Sequence, residues 1–60
     1  MRRFVDDFGW VARISERADG TCQVFVATAD GVVVWDRELP SVEVALVQLR
    51  LSFPRLQEVA

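Results

Sequence analysis

The sequence predicts one small α+β domain: a three-stranded antiparallel β-meander packed against one C-terminal α-helix, in the order βββα, and dimeric. Three observations carry this. First, Asp19-Gly20 and Asp30-Gly31 separate runs rich in β-formers, and Asp-Gly is a strong hairpin signal because both turn positions favour positive φ. Second, Val42, Ala45, Leu46 and Leu49 recur at helical spacing beyond the last of these runs. Third, the 60-residue chain is 52% hydrophobic, with a single cysteine and no histidine. A chain this short buries only roughly 60% of its unfolded surface. It cannot form an internal disulfide, and it lacks the commonest zinc ligand. Such a chain is expected to complete its core by association.

The whole chain, 1–60, reads as a single domain. Residues 1–9 are a lead-in, in which Phe4, Val5 and Phe8 pack as a short strand or turn. The meander spans 10–36, with strands at Trp10 to Arg17, Cys22 to Ala29 and Val32 to Asp36. Treating each Asp-Gly as a two-residue loop sets the register. Ile14 then lies opposite Phe25, Ala12 opposite Ala27, and Ala27 opposite Val34. Opposed residues share a face, so one face holds Trp10, Ala12, Ile14, Phe25, Ala27, Ala29, Val32 and Val34. The other holds Val11, Arg13, Ser15, Arg17, Cys22, Val24, Val26, Thr28, Val33, Trp35 and Arg37.

After Pro40, Ser41 is a suitable N-cap for a helix over 41–52, ending before Phe53-Pro54. Residues 47–53 also alternate as a strand would. The helix reading rests on the Val42, Ala45, Leu46, Leu49 stripe, which can cover the apolar sheet face. A second stripe, Val44, Val47 and Leu51, then points away from the sheet. The tail, 53–60, forms a last short turn.

The residue alphabet excludes most catalytic machinery. There is no His, Lys or Tyr, so the usual general bases and activators of Ser15, Ser41, Ser52 and Cys22 are missing. Asp19 and Asp30 are accounted for by their turns, and Asp6-Asp7 lacks the spacing of a calcium loop. The scattered glycines make no phosphate-binding loop. No enzymatic activity, cofactor, metal or small-molecule substrate is expected. The formal net charge of −2 argues against general polyanion binding, which needs many phosphate contacts. The Arg-only basic set, rich in Val and Ala, fits GC-rich coding in a bacterium or phage. The absence of a signal peptide or a membrane-spanning run predicts a cytoplasmic protein.

Function is therefore expected to reside in surfaces. The sheet face bearing Arg13, Arg17, Val24, Val26, Val33, Trp35 and Arg37 is one candidate, since Arg and Trp are favoured interface anchors. The outer helix stripe Val44, Val47, Leu51 is the other. The expected partner is a second copy of the chain or a larger protein that it regulates, in the manner of an antitoxin, phage inhibitor or accessory subunit. The alternative is nucleic-acid binding by the Arg/Trp face. That order of elements, with Gly9-Trp10-Val11-Ala12-Arg13-Ile14 opening the first strand, is similar in layout to AP2-like DNA-binding domains over about residues 9–52. The resemblance implies Arg13, Arg17, Trp35 and Arg37 as DNA contacts. The chain departs from that pattern in its negative charge and its lack of Lys. The layout is also similar to HicB-like antitoxin domains, without their usual further strand.

Overall fold

The computed structural model describes residues 1–59. The elements run β1 (Arg2–Val5), β2 (Val11–Glu16), β3 (Cys22–Ala27), β4 (Val33–Leu39), α1 (Val42–Ser52) and β5 (Gln57–Glu58). The strands form one antiparallel sheet in the order β4-β3-β2-β1-β5. The expected meander is present as β2, β3 and β4, but the sheet has five strands rather than three. The lead-in pairs with β2 as β1. The tail returns beside β1 as β5, where the Val59 N–H donates to the Arg3 carbonyl at 2.8 Å. Arg2 clamps this edge with two hydrogen bonds to the Glu58 carboxylate, at 2.7 and 2.5 Å. The guanidinium holds that carboxyl below the usual range.

All three hairpins use the same connection. The Arg17 N–H donates to the Thr21 carbonyl at 2.8 Å, and the Gly20 N–H to the Arg17 carbonyl at 3.0 Å. The pattern repeats between Thr28 and Val32, closed by Gly31, and between Asp6 and Trp10, closed by Gly9. Each loop is therefore three residues long: a tight turn followed by a glycine at φ near 84–89°. Only a residue without a Cβ adopts that conformation readily. The glycines fall at 9, 20 and 31, a constant spacing of eleven. Asp19 supports its loop by accepting from the Thr21 N–H and hydroxyl, at 3.0 and 2.6 Å.

This loop length corrects the expected register. A three-residue loop shifts β3 by one position against β2, so Ala12 opposes Val26, Arg13 opposes Phe25 and Ile14 opposes Val24. A one-residue shift sends every side chain of a strand to the other face. Between β3 and β4 a bulge adds a second correction. Ala27 opposes Val33 but Val26 opposes Trp35, so Val34 is the extra residue. Val33 and Trp35 consequently lie on different faces, although two positions apart.

The core forms where the helix meets the sheet. Phe4, Ala12, Ile14, Cys22, Val24 and Val26 pack beneath Ala45 and Leu49 of α1. Phe25 and Ala27, expected there, are on the opposite side. The helix has the expected bounds. The Ser41 hydroxyl accepts from the Val44 N–H at 3.2 Å, and the Phe53 N–H caps the other end on the Leu49 carbonyl at 2.8 Å. The alternating stretch from Val47 to Ser52 is thus helical. As a helix it sets Leu49 beside Ala45 in the core. Trp10, Trp35 and Phe53 close the end of the core, with Trp35 edge-on to Phe53 at 5.0 Å.

Candidate interaction surface

One sheet face carries α1. The other carries no further element among the described residues, and its side chains fall into cross-strand rows set by the register. The first row runs Val5, Val11, Ala27, Val33 from β1 to β4. It is wholly apolar, and Val5, Val11 and Val33 are 40%, 40% and 50% exposed. The second row runs Arg3, Arg13, Phe25, Asp36, with the Arg13 guanidinium 4.8 Å from the Phe25 ring centre. The third holds Ser15, Gln23 and Glu38. Arg17 reaches from the neighbouring turn to the Glu38 carboxylate at 2.7 Å. The Gln23 amide donates to Asp36 at 2.5 Å.

The seven residues expected to form a sheet surface do not share a face. Arg13 and Val33 lie on the open side, with Arg17 at its margin. Val24 and Val26 are completely buried under the helix. Trp35 and Arg37 are on the helix side, where the Arg37 guanidinium stacks 4.1 Å from the Trp35 ring centre. Arg13 therefore does not share a face with Val26 and Trp35, and neighbours Arg3 and Phe25 instead. The four side chains named for nucleic acid are split in the same way, and Arg17 is already engaged with Glu38. Acidic Asp36 and Glu38 share the open face with Arg3 and Arg13.

Arg3, Val5, Phe25 and Asp36 belong to the open face and were missed by sequence reasoning. The signal that could have found them is the eleven-residue glycine spacing. It places Gly9 in the same role as Gly20 and Gly31, and so makes the lead-in a strand.

The outer helix stripe is placed as expected. Val44 is half-buried, while Val47 and Leu51 are 57% and 79% exposed. The C-terminal segment does not fold over this stripe; it goes to the sheet edge as β5. A third feature is a groove of about 410 Å³ at the end of the sheet, lined by Asp6, Phe8, Trp10, Phe53, Pro54 and Arg55. Two of its polar side chains are engaged with neighbouring residues of the chain. Asp6 accepts from the Phe8 and Trp10 N–H groups, and Arg55 stacks on Phe8.

Cys22 is buried, and its thiol donates to the Ser41 carbonyl at 3.3 Å. Burial, with Glu16 nearby, pushes its pKa up, which opposes the thiolate needed for reactivity. It acts as a packed core residue that ties β3 to the start of α1. Among the described residues, no three His, Cys, Asp or Glu side chains converge on a metal-sized site. No helix among them is long and apolar enough to cross a membrane. No protein-family model, curated protein or solved structure matches the chain.

Proposed function

We propose that this chain is a protein–protein interaction module without chemistry of its own, acting through the open face of its sheet. Its role is regulatory or architectural, as in an antitoxin, an inhibitor or an accessory subunit. One observation supports the reading above others: the exposed aliphatics Val5, Val11 and Val33, in one row with the already buried Ala27 and flanked by the half-buried Phe25, have no cover among the described residues. Covering exposed aliphatic side chains of this kind contributes roughly 25 cal/mol per Å², and contiguous apolar patches mark association sites. The outer helix stripe is the second surface. It is narrower and lacks an aromatic.

The test compares Val11→Asp on the open face with Leu51→Asp on the helix stripe, using tagged full-length chain and extract of its host. The wild type is expected to retain a stoichiometric protein, either a second copy of itself or another chain. Val11→Asp is expected to lose it while keeping its circular dichroism spectrum, and Leu51→Asp to retain it. The opposite pattern would move the site to the helix. Retention by both variants would remove both surfaces.

A further inference from the structure

We propose that the occupant of the open face is a second copy of this chain, stacked face to face about a two-fold axis that runs along the strands between β2 and β3. The inference rests on reading that face as the interaction surface, and it adds the partner and the geometry.

The order of side chains across the sheet carries it. A two-fold axis along the strands reverses strand order while keeping each row against its own copy. β4 of one chain then lies over β1 of the other, and β3 over β2. In the apolar row, Val5 meets Val33 of the partner subunit and Val11 meets Ala27 of the partner subunit. In the polar row, Arg3 meets Asp36 of the partner subunit and Arg13 meets Phe25 of the partner subunit. Each contact occurs twice, as an isologous interface requires. The row is basic at one end and acidic at the other, so reversal matches unlike charges.

Among the described residues the isolated chain gives neither end an ion-pair partner, although the Asp36 carboxylate accepts from the Gln23 amide. Among the described residues, Arg2 and Arg17 have ion-pair partners, in Glu58 and Glu38. Neither Arg3 nor Asp36 forms an ion pair, and they sit three strands apart, about 14 Å. Arg3 also lies directly opposite Arg13 on the adjacent strand, an arrangement that like charges disfavour. A second copy supplies the missing carboxylate.

Other self-associations fit less well. A two-fold axis across the strands would lay β1 on β1 and β4 on β4, so Arg3 of one copy could not reach Asp36 of the other. Edge pairing through β4 is hindered by the Val34 bulge and by the consecutive charges Asp36-Arg37-Glu38, both features that blunt a sheet edge. A register centred on Asp36 would oppose two carboxylates. Face stacking keeps the strands of the two sheets within about 30° and the sheets about 10 Å apart. Strands β1 to β4 of the five-stranded sheet span roughly 19 Å, and the exposed apolar contribution is three valines, less than a standard interface of about 800 Å² per partner offers. The dimer is accordingly one that dissociates on dilution.

The test is sedimentation velocity of the full chain over a concentration series, with charge-reversed variants. The wild type is expected to pass from monomer to dimer as concentration rises. Arg3→Asp and Asp36→Arg each set like charges together at two symmetric places, and each is expected to weaken the dimer at least about tenfold. An equimolar mixture of the two variants is expected to recover the dimer, because the acidic positions of one chain then meet the basic positions of the other at both places. Circular dichroism of each variant confirms its fold. Wild type that stays monomeric at about 1 mM, single variants that dimerise normally, or a mixture that stays monomeric would each overturn the proposal. A monomeric wild type that still captures a different protein through Val11 would overturn the dimer alone. A monomeric wild type that captures nothing would overturn the interaction reading as well.

Discussion

Val24→Asp is expected to abolish cooperative folding. Val24 has no exposed surface and sits between Ile14 and Arg37 on the helix-covered face. The neighbouring guanidinium of opposite charge, Arg37, is exposed and stacked on Trp35, so a carboxylate beneath the helix stays unpaired unless Arg37 leaves that ring. The cost of leaving such a group dry and unpaired is about 3–5 kcal/mol. A core of this size supplies rarely more than about 3–5 kcal/mol of net stability, so the two are comparable. Thermal circular dichroism should show no cooperative transition. Val11→Asp is the matched control. Val11 lies on the open face, and substitutions on such exposed positions usually change stability by no more than about 0.5 kcal/mol. The pair is informative because two-residue hairpin loops would place Val11 and Val24 on the same face and make the two variants behave alike.

The second large effect is at the helix. Leu49→Ala is expected to lower stability by about 2–5 kcal/mol, the range for truncating a buried leucine. Leu49 and Ala45 are the only fully buried residues of α1, and Leu49 is the larger. It meets the Phe4, Ile14, Val24 and Val26 cluster, so its removal opens a cavity at the centre of the single helix–sheet contact. Urea titration should show the midpoint falling steeply or the transition disappearing. Leu51→Ala, at a residue 79% exposed on the same helix, should leave the midpoint almost unchanged. Equal losses for the two would mean that α1 is rotated relative to the sheet.

The helix was legible because its signals agree with one another. Ser41 caps it, the Val42, Ala45, Leu46, Leu49 stripe has one period, and Phe53-Pro54 ends it. The three meander strands were legible from their β-forming runs and their Asp-Gly turns. The faces of the sheet were not, since they depend on loop length to the residue. Asp-Gly occurs in both two- and three-residue hairpin loops, and nothing in Ala18-Asp19-Gly20 alone chooses between them. The wholly apolar face obtained from the shorter loop was persuasive because Val, Ala and Phe occupy both parities of β3. In the folded chain Cys22, Val24 and Val26 go inward, while Phe25 and Ala27 go outward. The Val34 bulge was invisible for a similar reason, as three successive valines allow any one of them to be the extra residue. β1 and β5 were hidden by brevity. Each is too short to show a period, and each forms only because the other strands present an edge to pair with.

These errors bear directly on the site. Arg13 and Val33 remain on the candidate surface, and Arg3, Val5, Phe25 and Asp36 join them. Trp35 and Arg37 leave it. The surface that results is less basic and more self-complementary than the one expected, which is why the charge-reversal pair is informative.

The central claim is that α1 covers the Ala12, Ile14, Val24, Val26 side of the sheet and leaves the Val11, Arg13, Phe25, Ala27 side open. The most direct measurement is native-state alkylation of single added cysteines at neighbouring positions of β3, Gln23→Cys and Val24→Cys, in dilute protein. Cys22 remains in both as an internal buried control, its thiol held protonated by burial. The account predicts rapid modification at position 23 and, at position 24, protection until the chain is unfolded. Rapid modification at position 24 with protection at position 23 would contradict it, and would return the sheet to the two-residue-loop register.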